Sequence, residues 1–379
     1  IWSEALKPAP NLSLVGSAPL ESTLCTSSEL GAERRHRRVC VGLGTLTMVT
    51  VPVEPSRLSS KPLASLTMVA ALAWVLLAGC SAGGTTTDPS ADTARVSRAE
   101  EVQVTTSDGV VLMTRTVGPA DATETLIAIH GGPGLSLEAM SAFERLAGPG
   151  RRVVSYDQRG AGRSTSPDDL DYGLDVQVAD LEAIRKALDT ESVQLLGQSW
   201  GGAIAAAYAA TYPQRVSALV LVGAVPLDRA EYLAGQRRFR DRVAELQEVG
   251  DIDEFIPPID QGSCLNAFNA LLPAYLDNPT TSGTATLTSC SAETSRATYE
   301  AFVADESVEE LATNLAALEL PVLLLAGEHD VFGPDWPARH RELLSNASVV
   351  TMLIADAGHL VATERPEETM SAISAVLQN

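Results

Sequence analysis

Positive charge is scarce in this 379-residue chain: 27 Lys and Arg face 48 Asp and Glu, for a formal net charge of −21. A surface of that sign repels a phosphate backbone and an anionic headgroup alike, so nucleic-acid binding is excluded as the primary role. Long apolar runs are almost missing too. The single stretch long enough to suggest a membrane lies before residue 80, which excludes a polytopic membrane protein. Cysteine and histidine number five each and nowhere cluster at zinc-ligand spacing, so no metal is expected. Nothing points to an organic cofactor. What the chain does hold is 45% apolar residues, ample for a hydrophobic core of one or two domains.

The first residue is Ile1, and residues 1–47 mix a basic cluster (Arg34, Arg35, His36, Arg37, Arg38) with Pro and Ser in no helical or strand period. They are expected to lie outside the native product. From Met48 a pattern emerges: Arg57 and Lys61 precede an apolar run from Leu63 to Ala78, the size of a secretory h-region and short of the roughly 20 residues that span a bilayer. Residues 48–79 therefore read as an export signal. The run ends in Leu77-Ala78-Gly79-Cys80, followed by Ser81-Ala82-Gly83-Gly84, and this resembles the lipobox of bacterial lipoproteins. The resemblance implies that Cys80 is the lipidated first residue of the mature chain, anchored to a membrane and facing outside the cytoplasm. An ordinary signal peptide with a Cys near its end is the alternative. Of the other cysteines, Cys25 and Cys40 fall in the leader and only Cys264 and Cys290 lie in the body. Export to an oxidising compartment favours a disulfide between this pair, closing a loop of about 26 residues, with two buried thiols as the alternative.

Residues 80–98 form a linker rich in Ser, Thr, Gly and Asp. Beyond it, short apolar runs alternate with helical patterns, the signature of a mostly parallel sheet with helices on both faces. Glu101 to Thr106 and Val110 to Val117 flank Ser107-Asp108-Gly109 as an antiparallel hairpin. Buried-strand runs follow at Thr125 to His130, Arg152 to Tyr156, Ser192 to Gly197, Val216 to Val222, Pro321 to Ala326 and Ser348 to Ile354. Helical periods fit Val176 to Leu188, Gly201 to Tyr212, Trp336 to Leu344 and Pro366 to Leu377. Residues 226–318 have a different texture. Leu227 to Val249 is a charged amphipathic stretch, Pro257-Pro258, Asn278-Pro279 and a Thr and Ser rich segment interrupt it, and Glu300 to Ala316 resumes a helical period. This segment reads as a mainly helical cap domain inserted between two core segments, 99–225 and 319–379.

The chemistry gathers at strand ends. Gly197-Gln198-Ser199-Trp200-Gly201-Gly202 lies between a predicted strand and a predicted helix, and glycines beside the serine suit a sharp turn that lifts Ser199 above the sheet. A serine hydroxyl is a weak nucleophile and needs a base and a group to orient that base. Asp330 follows the strand at Pro321, and His359 follows the strand ending near Ile354, giving the chain order Ser, Asp, His. Of the other histidines, His130 and His329 read as strand-end neighbours and His340 as an exposed helix residue. His130-Gly131-Gly132-Pro133-Gly134 offers backbone N–H groups close to a reacting carbonyl. The two oxyanion donors are assigned to Gly132 and Trp200.

Taken together, HGGPG at 130–134, DQRGAGRS at 157–164 and GQSWGG at 197–202, with Asp330 and His359 after them, resemble the proline iminopeptidases of the α/β-hydrolase superfamily. The likeness runs from about residue 100 to the C-terminus. It implies an α/β-hydrolase fold in which Ser199 is nucleophile, His359 general base and acid, and Asp330 its orienting carboxylate. The implied reaction removes an N-terminal residue, often proline, from short peptides. In that family acidic cap residues hold the substrate's amine; by position Glu300 is the candidate here, with Glu254 and Glu231 behind it. Two other readings stand beside this one: an esterase or amidase with the same triad, acting on small esters or amides, and a catalytically inactive peptide-binding lipoprotein.

Overall fold

The computed structural model describes residues 99–167, 171–250, 252, 261–279, 287–305 and 307–378. The expected leader, export signal, Cys80 and linker, and also Glu254, lie outside the described residues. Eight strands form one sheet: β1 (Glu100–Thr105), β2 (Val111–Val117), β3 (Glu124–Ile129), β4 (Arg151–Tyr156), β5 (Val193–Gln198), β6 (Val216–Val222), β7 (Pro321–Gly327) and β8 (Ser348–Ile354). Their spatial order is β1-β2-β4-β3-β5-β6-β7-β8. β1 pairs antiparallel with β2 and β2 with β4, while every other pair is parallel. The chain steps from β3 to β4 on one side and returns to place β5 on the other. A crevice therefore opens beyond the carboxyl ends of β3 and β5, the place where open α/β sheets bind ligands.

The central strands are apolar on both faces because both are covered. Leu195, Leu219, Leu221 and Leu324 enter one core with α1 (Leu174–Ala187), α2 (Trp200–Thr211) and α7 (Trp336–Leu343). Their neighbours Leu196, Val220, Val222 and Leu325 enter the other, against a 3-10 helix (Leu137–Leu146), α8 (Val361–Glu364) and α9 (Pro366–Leu377). Each such side chain, fully buried, contributes about 1.5–3 kcal/mol. α2 is made of small residues and is buried on every side as far as Ala210, which lets it lie close on β5.

Among the described residues four helices intervene between β6 and β7: α3 (Arg229–Val249), α4 (Gln261–Tyr275), α5 (Ala292–Ala304) and α6 (Val308–Leu315). Asp228 starts α3 by accepting the Glu231 N–H at 2.8 Å, and Gly250 ends it at φ 83°. The helical period read across Glu300 to Ala316 is two helices rather than one. Asp305 leaves the helix in an extended conformation and its carboxylate accepts the Ser307 N–H at 2.8 Å, offering the backbone a turn in place of continuation. Cys264 on α4 and Cys290, just before α5, are joined as a disulfide with their Cα atoms 5.7 Å apart.

His340 is buried on α7 rather than exposed, its Nδ1 donating to the Trp336 carbonyl at 3.0 Å. Burial pushes the imidazole pKa from 6.5 down to about 4, against the small upward pull of that bond. An unfolded histidine takes its proton near 6.5, so between pH 6.5 and pH 4 the unfolded state binds more protons. The stability this neutral ring contributes is whole above pH 6.5 and falls by about 3 kcal/mol as the pH drops to 4. Urea unfolding at pH 7 and pH 4 should show a decrease about 3 kcal/mol larger for the natural protein than for His340→Gln; equal decreases would contradict the assignment.

Candidate active site

Four strand ends bring the site together. The loop after β3 carries His130 to Gly134, the turn after β5 carries Ser199, the turn after β7 carries Asp330 and the loop after β8 carries His359. Ser199 has φ 53° and ψ −119°, a conformation that costs a residue with a Cβ about 1–3 kcal/mol and persists only where its surroundings impose it. Those surroundings are identifiable. The Ser199 N–H donates to the Val222 carbonyl at 2.9 Å, and the Ser199 carbonyl accepts from Gly202 at 2.9 Å and Val225 at 3.2 Å. A Cβ at Gly201 would run into the Ile129 carbonyl, and one at Gly131 would come within 2.9 Å of the Ser199 Cβ. Only glycine at these positions lets β3, the serine turn and α2 meet. Trp200 is the first residue of α2, so its N–H has no acceptor within the helix and faces outward with the positive end of the helix dipole.

His359 is buried, with Nδ1 at 3.0 and 3.1 Å from the two Asp330 oxygens. Asp330 Oδ1 also accepts the Phe332 N–H at 3.0 Å. A carboxylate can only accept, so Nδ1 carries a proton, and in the neutral ring Nε2 then presents a lone pair. Nε2 is buried and hydrogen-bonds to nothing among the described residues. The loop that holds this ring is itself gripped: the His359 N–H donates to the Tyr275 carbonyl at 2.8 Å, and the ring packs edge-on to Phe332 at 4.6 Å. The Glu364 carboxylate accepts N–H groups from Gly358 at 2.6 Å and from Asp277 at 2.9 Å, tying the loop to the end of α4.

Ser199 and His359 line one pocket, partly open to solvent and holding about 750 Å³ of empty space, together with Gly131, Gly132, Leu135, Glu138, Phe268, Tyr275 and Leu360. A smaller cavity of about 290 Å³ opens on the other side of Ser199, between Gly132, Trp200, Tyr232 and Phe332. Gly132 and Ser199 therefore border both. The arrangement has the parts of an acyl-transfer site: a hydroxyl, an imidazole of fixed tautomer and backbone N–H groups at a strained turn. Among the described residues no three His, Cys, Asp or Glu side chains are grouped to hold a metal ion.

The 157–164 segment braces this site from below. Asp157 accepts the Leu137 N–H at 2.7 Å and the Arg163 N–H at 3.0 Å. Gln158 holds the loop after β3 at two points, its N–H donating to His130 Nε2 at 3.2 Å and its side-chain amide to the His130 carbonyl at 2.7 Å. His130 must then be neutral with its proton on Nδ1, directed at the Gly131 carbonyl at 2.8 Å, and burial accordingly pushes its pKa down. Arg159 forks onto Asp180 at 2.7 and 2.8 Å.

Of the cap acids expected at the substrate amine, the two within the described residues, Glu300 and Glu231, do not line the large cavity. α5 buries Thr294, Ser295, Thr298, Tyr299 and Phe302, and Glu300 falls off that stripe into solvent. Glu231 pairs with Arg339 at 3.0 Å and lines a separate cavity of about 410 Å³ with Arg238 and Trp336. The carboxylate that does line the cavity at Ser199 is Glu138, in the 3-10 helix that follows the glycine loop. Its only sequence signal is an acid a few residues beyond HGGPG.

Comparison with known proteins agrees with this fold. A family model for the alpha/beta hydrolase fold matches residues 124–366. The chain is 36% identical over 157 residues to the proline iminopeptidase of Lactiplantibacillus plantarum, an alignment covering 40% of this chain and 50% of that protein. It thus spans about half the length of the curated relatives it matches. Among solved structures, the proline iminopeptidase of Mycobacterium smegmatis is similar at TM-score 0.53 and 23% identity, covering 74% of this chain and 98% of that one. An esterase of Exiguobacterium antarcticum is similar at TM-score 0.54 and 19% identity, covering 74% and 100%. At those identities the structures share the fold.

Proposed function

The chain belongs to the alpha/beta hydrolase fold family, and from that premise we propose that it is a serine hydrolase releasing an N-terminal residue, proline or a small one, from short peptides. The observation that carries the reading is the His359 ring. Its Nδ1 is bound to Asp330 while its buried Nε2 has no partner among the described residues, at the wall of the cavity that Ser199 also lines. Bonds of this kind commonly tighten only with substrate in place.

In the proposed first step Nε2 takes the Ser199 hydroxyl proton as Oγ attacks the scissile carbonyl carbon. The carbonyl oxygen becomes an oxyanion and accepts hydrogen bonds from the Gly132 and Trp200 N–H groups. Collapse breaks the C–N bond, the leaving amine takes the proton from Nε2, and the acyl group stays on Oγ. Water then gives a proton to Nε2 as its oxygen attacks the ester, and that proton returns to Ser199 Oγ as the amino acid departs. Asp330 stays ionised throughout, holding the tautomer and stabilising the imidazolium. The peptidase reading is supported by the curated proline iminopeptidases it resembles. The apolar side chains of the cavity, Leu135, Phe268, Leu287 and Leu360, favour an esterase as the second reading.

For location, we propose an extracytoplasmic lipoprotein anchored through Cys80. Support comes from the lipobox-like residues before it and from the Cys264–Cys290 disulfide, a bond that a reducing cytosol rarely maintains. Mass spectrometry of the membrane-extracted protein should find Cys80 as the first residue and diacylated; a processed chain with an unmodified Cys80 refutes the anchor.

Substrate class is tested with proline and alanine p-nitroanilides, their N-acetyl derivatives and p-nitrophenyl butyrate. The free-amine anilides should be cleaved at least 100-fold more efficiently than the acetylated ones. Equal rates on both would make the protein an esterase or amidase, and hydrolysis of none would leave a peptide-binding protein.

A further inference from the structure

We infer that Glu138 is the group that receives the substrate's ammonium, so that selection for a cationic substrate comes from the hydrolase core next to the oxyanion loop. The inference rests on the peptidase reading for its substrate and on the cavity for its geometry. Glu138 is the one acidic side chain among the described residues that line the cavity of Ser199 and His359. Its backbone is fixed relative to the nucleophile, because the preceding Leu137 N–H is held by Asp157 at 2.7 Å directly after the glycine loop.

A carboxylate at the wall of a cavity can be a scaffold member whose charge is already spent, so its partners must be counted. Arg115 lies 3.6 Å from Glu138, but the same guanidinium is 3.2 Å from Glu144 and 3.5 Å from Glu101. Arg163 pairs with Glu101 at 2.8 Å and lies 3.7 Å from Asp157. Two guanidinium groups thus serve four carboxylates, and the cluster keeps a net negative charge. Glu138 also stays ionised. Burial pushes its carboxyl up, but neighbouring hydrogen-bond donors and the Arg115 guanidinium outweigh that and hold it below the usual carboxylate range. An ammonium entering this cavity loses water and needs an anionic partner, whereas an uncharged acyl group does not. The remaining walls are largely apolar or backbone, including Leu135, Ala139 and Leu360. Glu300 and Glu231, in solvent and on Arg339, do not compete for the role.

The first test uses the unaltered full-length protein and p-nitrophenyl butyrate as reporter. n-Butylammonium should inhibit ester hydrolysis at least tenfold more strongly than its uncharged isostere 1-butanol, and equal inhibition overturns the inference. The second test is Glu138→Gln, which keeps shape and removes charge. The ratio of kcat/KM for proline p-nitroanilide to that for p-nitrophenyl butyrate should fall at least 30-fold, mainly through KM, and the butylammonium preference should vanish. An unchanged ratio, or equal losses on both substrates, means that Glu138 is a structural member of the Arg115 cluster. If the natural protein cleaves the ester but no anilide, the peptidase reading fails, while the butylammonium comparison still decides whether Glu138 forms a cation site.

Discussion

A serine held at φ 53° at the end of β5 is the constraint from which the rest of the site follows. An ordinary side chain does not sit there without about 1–3 kcal/mol of opposition, and the structure supplies that from packing and backbone bonds on every side. The Val222 carbonyl takes the serine N–H, and the N–H groups of Gly202 and Val225 take its carbonyl. The turn also demands close approach: Gly131 lies against the serine Cβ and Gly201 against the Ile129 carbonyl, with no room for a methyl at either. The small-residue α2 and the glycine loop after β3 are therefore two consequences of one geometry. The same geometry puts a helix start with its free N–H beside the hydroxyl.

The partners of the serine are positioned by elements distant in sequence. Glu364 binds N–H groups on both the His359 loop and the end of α4, so the imidazole and the inserted helices share one anchor. On the other side, Asp157 and Gln158 hold the glycine loop and the 3-10 helix through three backbone N–H or carbonyl groups. The apolar group of Leu135, Phe268, Leu272 and Leu276 packs around the Cys264–Cys290 disulfide and meets the cavity at Leu135 and Phe268. In the proposed reaction, chemistry and substrate shape thus fall to different parts: the strand ends carry the reacting groups, and side chains of α3 and α4 line part of the space beside them.

The sheet was legible because its strands are buried on both faces and read as continuous apolar runs, and because helical periods separate them. Ser199, Asp330 and His359 were legible as a set since each follows a strand, and strand ends in such a sheet converge. Glu138 was not, because nothing local in Leu135-Ser136-Leu137-Glu138 marks it; its place depends on Asp157 and Arg115, brought near by folding. The exposed setting of Glu300 was in principle readable. Tyr299 and Phe302 set the buried stripe of α5, and residue 300 falls outside that stripe. The burial of His340 is not readable from the sequence for the opposite reason, since a polar residue in a charged helix gives no sign that its face is buried. The break at Asp305 came from a side-chain bond to Ser307 that competes with the helix, an effect that periodicity alone does not register.

The proposed chemistry depends on Ser199 as the nucleophile. The direct measurement is covalent labelling with diisopropyl fluorophosphate, followed by peptide mapping and parallel assay of ester hydrolysis. One phosphoryl adduct on Ser199, formed in proportion to the activity lost, is the predicted result. Full activity in a protein completely labelled at Ser199, or inactivation through an adduct on a different residue, would contradict it.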